Sequence, residues 1–129
     1  MHRWVEHTAE LELQIDAATE EDVFVEAAEA LSELLGARAQ GEPARREVEA
    51  AASDRPALLA DWLNELVFLS EQGFVPERVV ALELGDAGLR STVEGRAGVP
   101  RSLVKAVTYH RLQLEPEGVR WRGRVVLDV

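Results

Sequence analysis

The chain has 129 residues, of which 47% are hydrophobic and 29% are charged, a composition typical of one globular domain, here residues 1–129, with a hydrophobic core. It contains no cysteine, which excludes disulfides, thiolate metal sites and a cysteine nucleophile. The formal net charge is −10 with the acidic excess in residues 1–78, so tight direct binding to nucleic-acid phosphates is not expected.

Two apolar patterns of different period predict a strand and then a helix in the first third of the chain. Residues 8–16 alternate apolar and polar side chains, as expected of a strand with one buried face. The apolar members are Leu11, Leu13 and Ile15, and the polar members are Glu10, Glu12 and Gln14. Residues 18–36 have a helical apolar period, with Thr19 as the predicted N-cap and Gly36 at the end.

The rest of the chain predicts a second helix among strands. Residues 37–44 form a predicted loop, and residues 45–52 a weaker strand. Residues 53–73 predict a helix that Ser53 or Asp54 caps and Gly73 ends. Strand patterns follow in the hairpin around Gly85–Gly88, in residues 103–115 and in residues 119–129.

This order, β-α-β-α-β-β-β-β, predicts an α+β fold in which two helices pack on a mostly antiparallel sheet. No apolar run approaches the roughly 18 residues that a membrane-spanning helix needs. The first residues also lack the apolar stretch of a signal peptide. We therefore expect no membrane partner and a cytoplasmic location.

Two carboxylates from opposite ends of the chain are candidate cation ligands. The alternation places Glu10 and Asp128 on the polar faces of the first and last strands. If these strands lie close together, the carboxylates converge, and main-chain carbonyls can complete the all-oxygen site that Ca²⁺ or Mg²⁺ prefers. The alternatives are a solvated strand edge around Glu6, His7 and Glu10, and a salt bridge between Asp128 and an arginine.

The stretch KAVTYH, residues 105–110, contains Lys105, the only lysine of the chain. Alternation predicts that His110 lies on the core-leaning face with Leu112 and Leu114, and that Lys105 lies on the more polar face. Asp61, Asn64 and Glu65 fall outside the apolar stripe of the second helix, and we expect a structural role for them.

The familiar enzyme motifs are absent from the sequence. It has no G-x-x-x-x-G-K, no G-x-G-x-x-G and no G-x-S-x-G. With three histidines and no cysteine, the chain has few residues that could form a Ser/His/Asp triad or a closed zinc site. The residues alone indicate an acidic α+β domain with a candidate cation site.

Four motifs in order along the chain resemble those of the archease family: EHTAELELQI, LLADWLNELVFL, VKAVTYHRL and the final VVLDV. The resemblance implies a protein that is not itself an enzyme and that activates a GTP-dependent RNA-splicing ligase of the RtcB type. Archeases promote guanylylation and multiple turnover of this ligase in tRNA splicing and RNA repair.

The resemblance also implies a divalent cation bound by Glu10, Asp128 and the main-chain carbonyl of Val129. Calcium is the first expectation, with magnesium and manganese as alternatives. Family members usually carry Asp at the position of Glu10. Residues expected to support the site or contact the partner are Glu6, His7, Lys105 and His110.

Two other functions remain open at this point. A cation flanked by His7 and carboxylates could activate water in a stand-alone metal-dependent phosphohydrolase. A general chaperone-like interaction module would have no specific chemistry, and substitution of Glu10 or Asp128 would then have no effect.

Overall fold

The protein is described here by a computed structural model that covers residues 1–7, 9–36 and 41–129. Within these residues the chain forms two helices and seven strands. Their bounds are β1 His2–His7, β2 Glu10–Ala17, α1 Glu20–Leu35, β3 Pro43–Ala51, α2 Arg55–Glu71, β4 Phe74–Leu84, β5 Gly88–Ala97, β6 Ala106–Glu117 and β7 Arg120–Asp128. The predicted α+β class is confirmed. Of the predicted loop 37–44, residues 37–40 lie outside the described residues.

The strands form two antiparallel sheets, where the sequence suggested one. The first sheet has the order β1-β2-β7-β6 and the second the order β3-β5-β4. Strand β1 was not predicted, because the neighbouring residues Trp4 and Val5 are both half-buried and break the alternation. It pairs only with β2, so it forms one edge of the first sheet.

The helices begin and end at the predicted residues. The Thr19 hydroxyl accepts a hydrogen bond from the Asp22 N–H at 3.1 Å, and the Asp54 carboxylate accepts one from the Ala57 N–H at 2.8 Å. These caps satisfy N–H groups that have no partner inside the helix. No helix in the described ranges is long and apolar enough to cross a membrane.

The core lies where the two helices meet the sheets, and each helix contacts strands of both sheets. Trp62 of α2 is fully buried, and its indole N–H donates to the Phe24 carbonyl of α1 at 3.0 Å. Gly123 of β7 lets α1 approach the first sheet closely, because a Cβ there would lie 2.9 Å from Val23 Cγ1. The inner face of this sheet is therefore tightly fitted to the helices.

A bulge in β6 makes the prediction for His110 wrong. Thr108 pairs with Val126 and Gln113 with Arg124, so residues 109–112 lie opposite a single residue of β7. The insertion reverses the alternation, and the buried positions are Val107 before it and Leu114 after it. Arg111 has a φ of 53° within the bulge. His110 is exposed rather than part of the core.

Helix α2 covers the outer edge of β6 through polar side chains. The Asn64 amide donates to the Val107 carbonyl and accepts from the Val107 N–H, both at 2.9 Å. The Tyr109 hydroxyl donates to the Asp61 carboxylate one turn earlier on α2. Asn64 thus takes the place of a neighbouring strand, in agreement with the structural role expected for it.

Replacement of Asn64 should destabilise the fold more than replacement of its neighbour Glu65. Asn64→Leu leaves the N–H and C=O of Val107 without partners, and each unsatisfied buried group costs about 1–3 kcal/mol. Urea unfolding should show this loss for Asn64→Leu and almost none for Glu65→Leu, whose side chain is exposed. Equal losses in both variants would contradict the role assigned to Asn64.

Candidate functional site

The two carboxylates proposed from the sequence meet across neighbouring strands. β2 and β7 pair in antiparallel register, and Glu10 lies directly opposite Asp128. Residues directly opposite in such a pair point to the same face, with Cβ atoms about 4.5–5.5 Å apart. The expected approach of the first and last predicted strands is confirmed.

The same row of the sheet continues into the two edge strands. On one side His7 of β1 lies opposite Glu10, and on the other side Ala106 of β6 lies opposite Asp128. The Lys105 N–H donates to the Asp128 carbonyl at 2.8 Å and holds the β6 chain beside the last residues of β7. Of the residues in this row, Asp128 is exposed and Glu10 is half-buried.

Within residues 1–7, 9–36 and 41–129, neither carboxylate is neutralised by a nearby arginine. Three of the four arginines of β6 and β7 pair with other acids of the first sheet: Arg111 with Glu12, Arg120 with Asp16 and Arg122 with Glu117. Among the described residues neither Glu10 nor Asp128 forms an ion pair, so the salt-bridge alternative for Asp128 is not observed.

One oxygen of Glu10 is a buried acceptor without a hydrogen-bond donor. Glu10 Oε2 is shielded from solvent and has no partner among the described residues. Such an atom calls for a specific explanation, of which an ion is one. Across the described ranges, however, no three His, Asp or Glu side chains converge closely enough to hold a metal by themselves. Two carboxylates would therefore need main-chain oxygens and water to complete a cation site.

Glu12, which the sequence pattern did not single out, is the most deeply buried carboxylate of this sheet. Its side chain lies on the same face as Glu10 but is only 4% exposed. Burial alone raises the pKa of this carboxyl, but donated hydrogen bonds and positive charges outweigh that effect and hold the pKa below its ordinary value. These contributions come, in decreasing order, from Gln14, His7, Arg111 and Arg124. Nothing in the alternating pattern distinguished Glu12 from its neighbours.

The sequence model of the Archease protein family (MTH1598/TM1083) matches residues 2–129. The chain belongs to the archease family. The archease of Pyrobaculum neutrophilum is 32% identical over 99% of this chain and 95% of its own length. The archease of Methanopyrus kandleri is 36% identical, with 97% and 96% of the two chains covered.

Two solved structures have similar folds. The solution structure of protein 1598 from Methanobacterium thermoautotrophicum matches with a TM-score of 0.70 and 28% identity, over 99% of this chain and 98% of that one. The crystal structure of a Thermotoga maritima archease, described as a possible chaperone, matches with a TM-score of 0.71 over 100% and 98% of the two chains. At 24% identity the latter shows similarity of fold alone.

Not all of the supporting residues expected from the archease resemblance lie together. His7 shares the row of Glu10 and Asp128, and the main chain of Lys105 lies beside it. Glu6 pairs with Leu11 and therefore points to the opposite face of the sheet. His110 is placed by the bulge, further along β6.

The Glu10–Asp128 pair should lower the stability of the protein when no divalent cation is present. Like charges directly opposite in a sheet are destabilising by about 0.2–1 kcal/mol. In EDTA at low salt, Asp128→Asn should therefore raise the free energy of unfolding, and added salt should reduce the gain by screening.

Glu117→Gln provides a matched control in the same measurement, because the Glu117 carboxylate forms an ion pair with Arg122 at 2.7 Å. This variant should lose stability where Asp128→Asn gains it. A loss of stability in Asp128→Asn would show that the carboxylates do not repel each other.

Proposed function

We propose that this archease-family chain activates a GTP-dependent RNA-splicing ligase of the RtcB type by promoting its guanylylation and multiple turnover. Membership of the archease family suggests an interaction with a partner protein. The observation that supports a specific role is the in-register pairing of Glu10 with Asp128 at one end of the sheet, two carboxylates that form no ion pair with any described residue.

The proposed ligands of a divalent cation are the carboxylates of Glu10 and Asp128 and the carbonyl of Val129. Glu10 is held by β2, an inner strand of the first sheet, so its position is fixed by the core. Asp128 and Val129 are exposed, so a partner can reach this end of the sheet. A bound cation would supply positive charge for the phosphates of a guanylylation reaction on the ligase.

The proposed activity does not require chemistry by this chain itself. A stand-alone phosphohydrolase would need a general base near the cation, and His7 is the histidine in the row of Glu10. The sequence, however, has no G-x-x-x-x-G-K phosphate-binding loop, no cysteine nucleophile and only three histidines. We therefore expect no hydrolysis of GTP or phosphoesters by the purified protein. Such turnover, lost in His7→Gln, would favour the phosphohydrolase instead.

Asp128→Asn should abolish stimulation of the ligase while leaving the fold intact. The substitution preserves side-chain size but removes the charge proposed to hold the cation. The measurement is the number of ligation cycles per ligase molecule, with and without the variant, at fixed metal concentration. Asp86→Asn, in the exposed turn between β4 and β5, is the control and should stimulate fully. Full stimulation by Asp128→Asn would rule out the cation-dependent mechanism and leave the general chaperone-like function.

Calcium should stabilise the protein in a manner that depends on Glu10. A ligand that binds only the folded state at one hundred times its Kd adds about 2.7 kcal/mol to the free energy of unfolding. The thermal midpoint should therefore rise with CaCl₂ relative to EDTA. Glu10→Gln should lose this shift, whereas Glu10→Asp, which introduces the residue usual in the family, should keep it. Parallel titrations with MgCl₂ and MnCl₂ identify the preferred ion, and an equal shift in Glu10→Gln would place the cation elsewhere.

A further inference from the structure

Glu12 lies at the centre of a polar cluster on the outer face of the first sheet. It is next along that face from Glu10, opposite Val5 on one side and Val126 on the other. Val126 is fully buried although it too lies on the outer face. This row of the sheet is therefore covered by side chains from neighbouring rows, unlike an ordinary solvated sheet surface.

Three side chains from three strands converge on the Glu12 carboxylate. Oε1 lies 3.2 Å from His7 Nε2 on β1 and 3.2 Å from a guanidinium nitrogen of Arg111 on β6. Oε2 accepts a hydrogen bond from the Gln14 amide at 2.7 Å. Both oxygens are thus used, and the carboxylate is partnered as a buried charge must be.

The contact with Glu12 determines which nitrogen of His7 carries a hydrogen. An ionised carboxylate only accepts hydrogen bonds, so Nε2 of the imidazole must be the donor. In the neutral ring, Nδ1 is then the nitrogen that can accept a further hydrogen bond. Because His7 lies opposite Glu10, this orientation bears directly on the end of the sheet where the two carboxylates meet.

The contact with Arg111 holds the bulge of β6 in place. Arg111 has a φ of 53°, a conformation that residues other than glycine adopt only when their surroundings impose it. Its side chain is bound by Glu12, and its carbonyl accepts from Arg124 Nε at 3.0 Å. Arg111 is therefore held both by its side chain and by its main-chain carbonyl. The bulge in turn presents Tyr109 and His110, both exposed, on the edge of the sheet.

We infer that Glu12 is a positioning residue, whose buried carboxylate orients the His7 imidazole beside the Glu10–Asp128 pair and fixes the β6 bulge, further along the sheet, in a defined conformation. Its effect on the ligase rests on the proposed function. Its effect on His7 and on residues 109–112 does not, because these contacts lie within this chain.

The inference is tested first on the isolated protein by NMR, with Glu12→Gln as the variant. This substitution keeps the shape of the side chain and removes its charge. The ring ¹⁵N signals of His7 should change from the Nε2–H form to a tautomer mixture, and the amide signals of residues 109–112 should shift or broaden. Glu49→Gln, which removes an exposed ion-pair partner of Arg90 on the second sheet, should leave both sets unchanged. Unchanged signals in Glu12→Gln would overturn the inference.

A second variant changes the residue of β6 that contacts the Glu12 carboxylate. Arg111→Asn keeps a residue that tolerates positive φ but removes the guanidinium. It should disturb the amide signals of the neighbouring bulge residues 109, 110 and 112 as Glu12→Gln does, and the double variant should disturb them by less than the sum of the two effects, as expected of residues that act through one contact. If Glu12→Gln does not fold, Arg111→Asn decides the question alone, and unaltered amide signals of residues 109, 110 and 112 then overturn the inference.

The ligase assay separates positioning from a role in folding alone. At a temperature where Glu12→Gln is fully folded, stimulation should fall about tenfold, as expected when a residue that orients a site residue is lost, while Glu49→Gln stimulates normally. Normal stimulation despite altered NMR signals would overturn the functional part of the inference. If the wild-type protein fails to stimulate the ligase, the proposed function fails, and the NMR comparison still decides whether Glu12 positions His7 and the bulge.

Discussion

The register between β2 and β7 is the constraint on which the candidate site depends. This register is set by packing on the inner face of the sheet. There Ile15 lies opposite Gly123, and a side chain larger than hydrogen at position 123 would collide with Val23 of α1. A slip by one residue would turn the apolar side chains of either strand toward solvent. It would also separate Glu10 from Asp128. Core packing therefore brings together two carboxylates that are far apart along the chain.

Strand β6 completes this end of the first sheet, because its backbone is hydrogen-bonded along both of its edges. β7 pairs with it on one side, and Asn64 of α2 satisfies the Val107 backbone on the other. Lys105 is thereby held beside Asp128. This explains why the motifs WLNEL, KAVTYH and VVLDV occur together: each contributes to one packed unit at the same end of the first sheet.

Alternation and capping residues were enough to predict both helices, most strands and the shared polar face of Glu10 and Asp128. The division into two sheets was not predictable, because each sheet uses the same alternating pattern and pairing partners are non-local. The orientation of His110 was not predicted, because the alternation of apolar and polar residues does not reveal a bulge whose residues are exposed. Glu12 was missed for a related reason: one of its partners is Arg111, which lies in the bulge.

The charges along β2 and β7 distinguish this site from an ordinary sheet surface. Asp16 lies opposite Arg122, a complementary pair, whereas Glu10 lies opposite Asp128, two like charges. A strand pair selected for stability alone would not place carboxylates face to face, and here one of their oxygens is also buried with no donor in the part of the chain that the structure describes. On the proposed function, two carboxylates leave coordination positions of a cation open for a phosphate of the partner complex. Cation and partner would then each strengthen the binding of the other by the same factor. An incomplete site is thus better suited to reversible activation than a closed one.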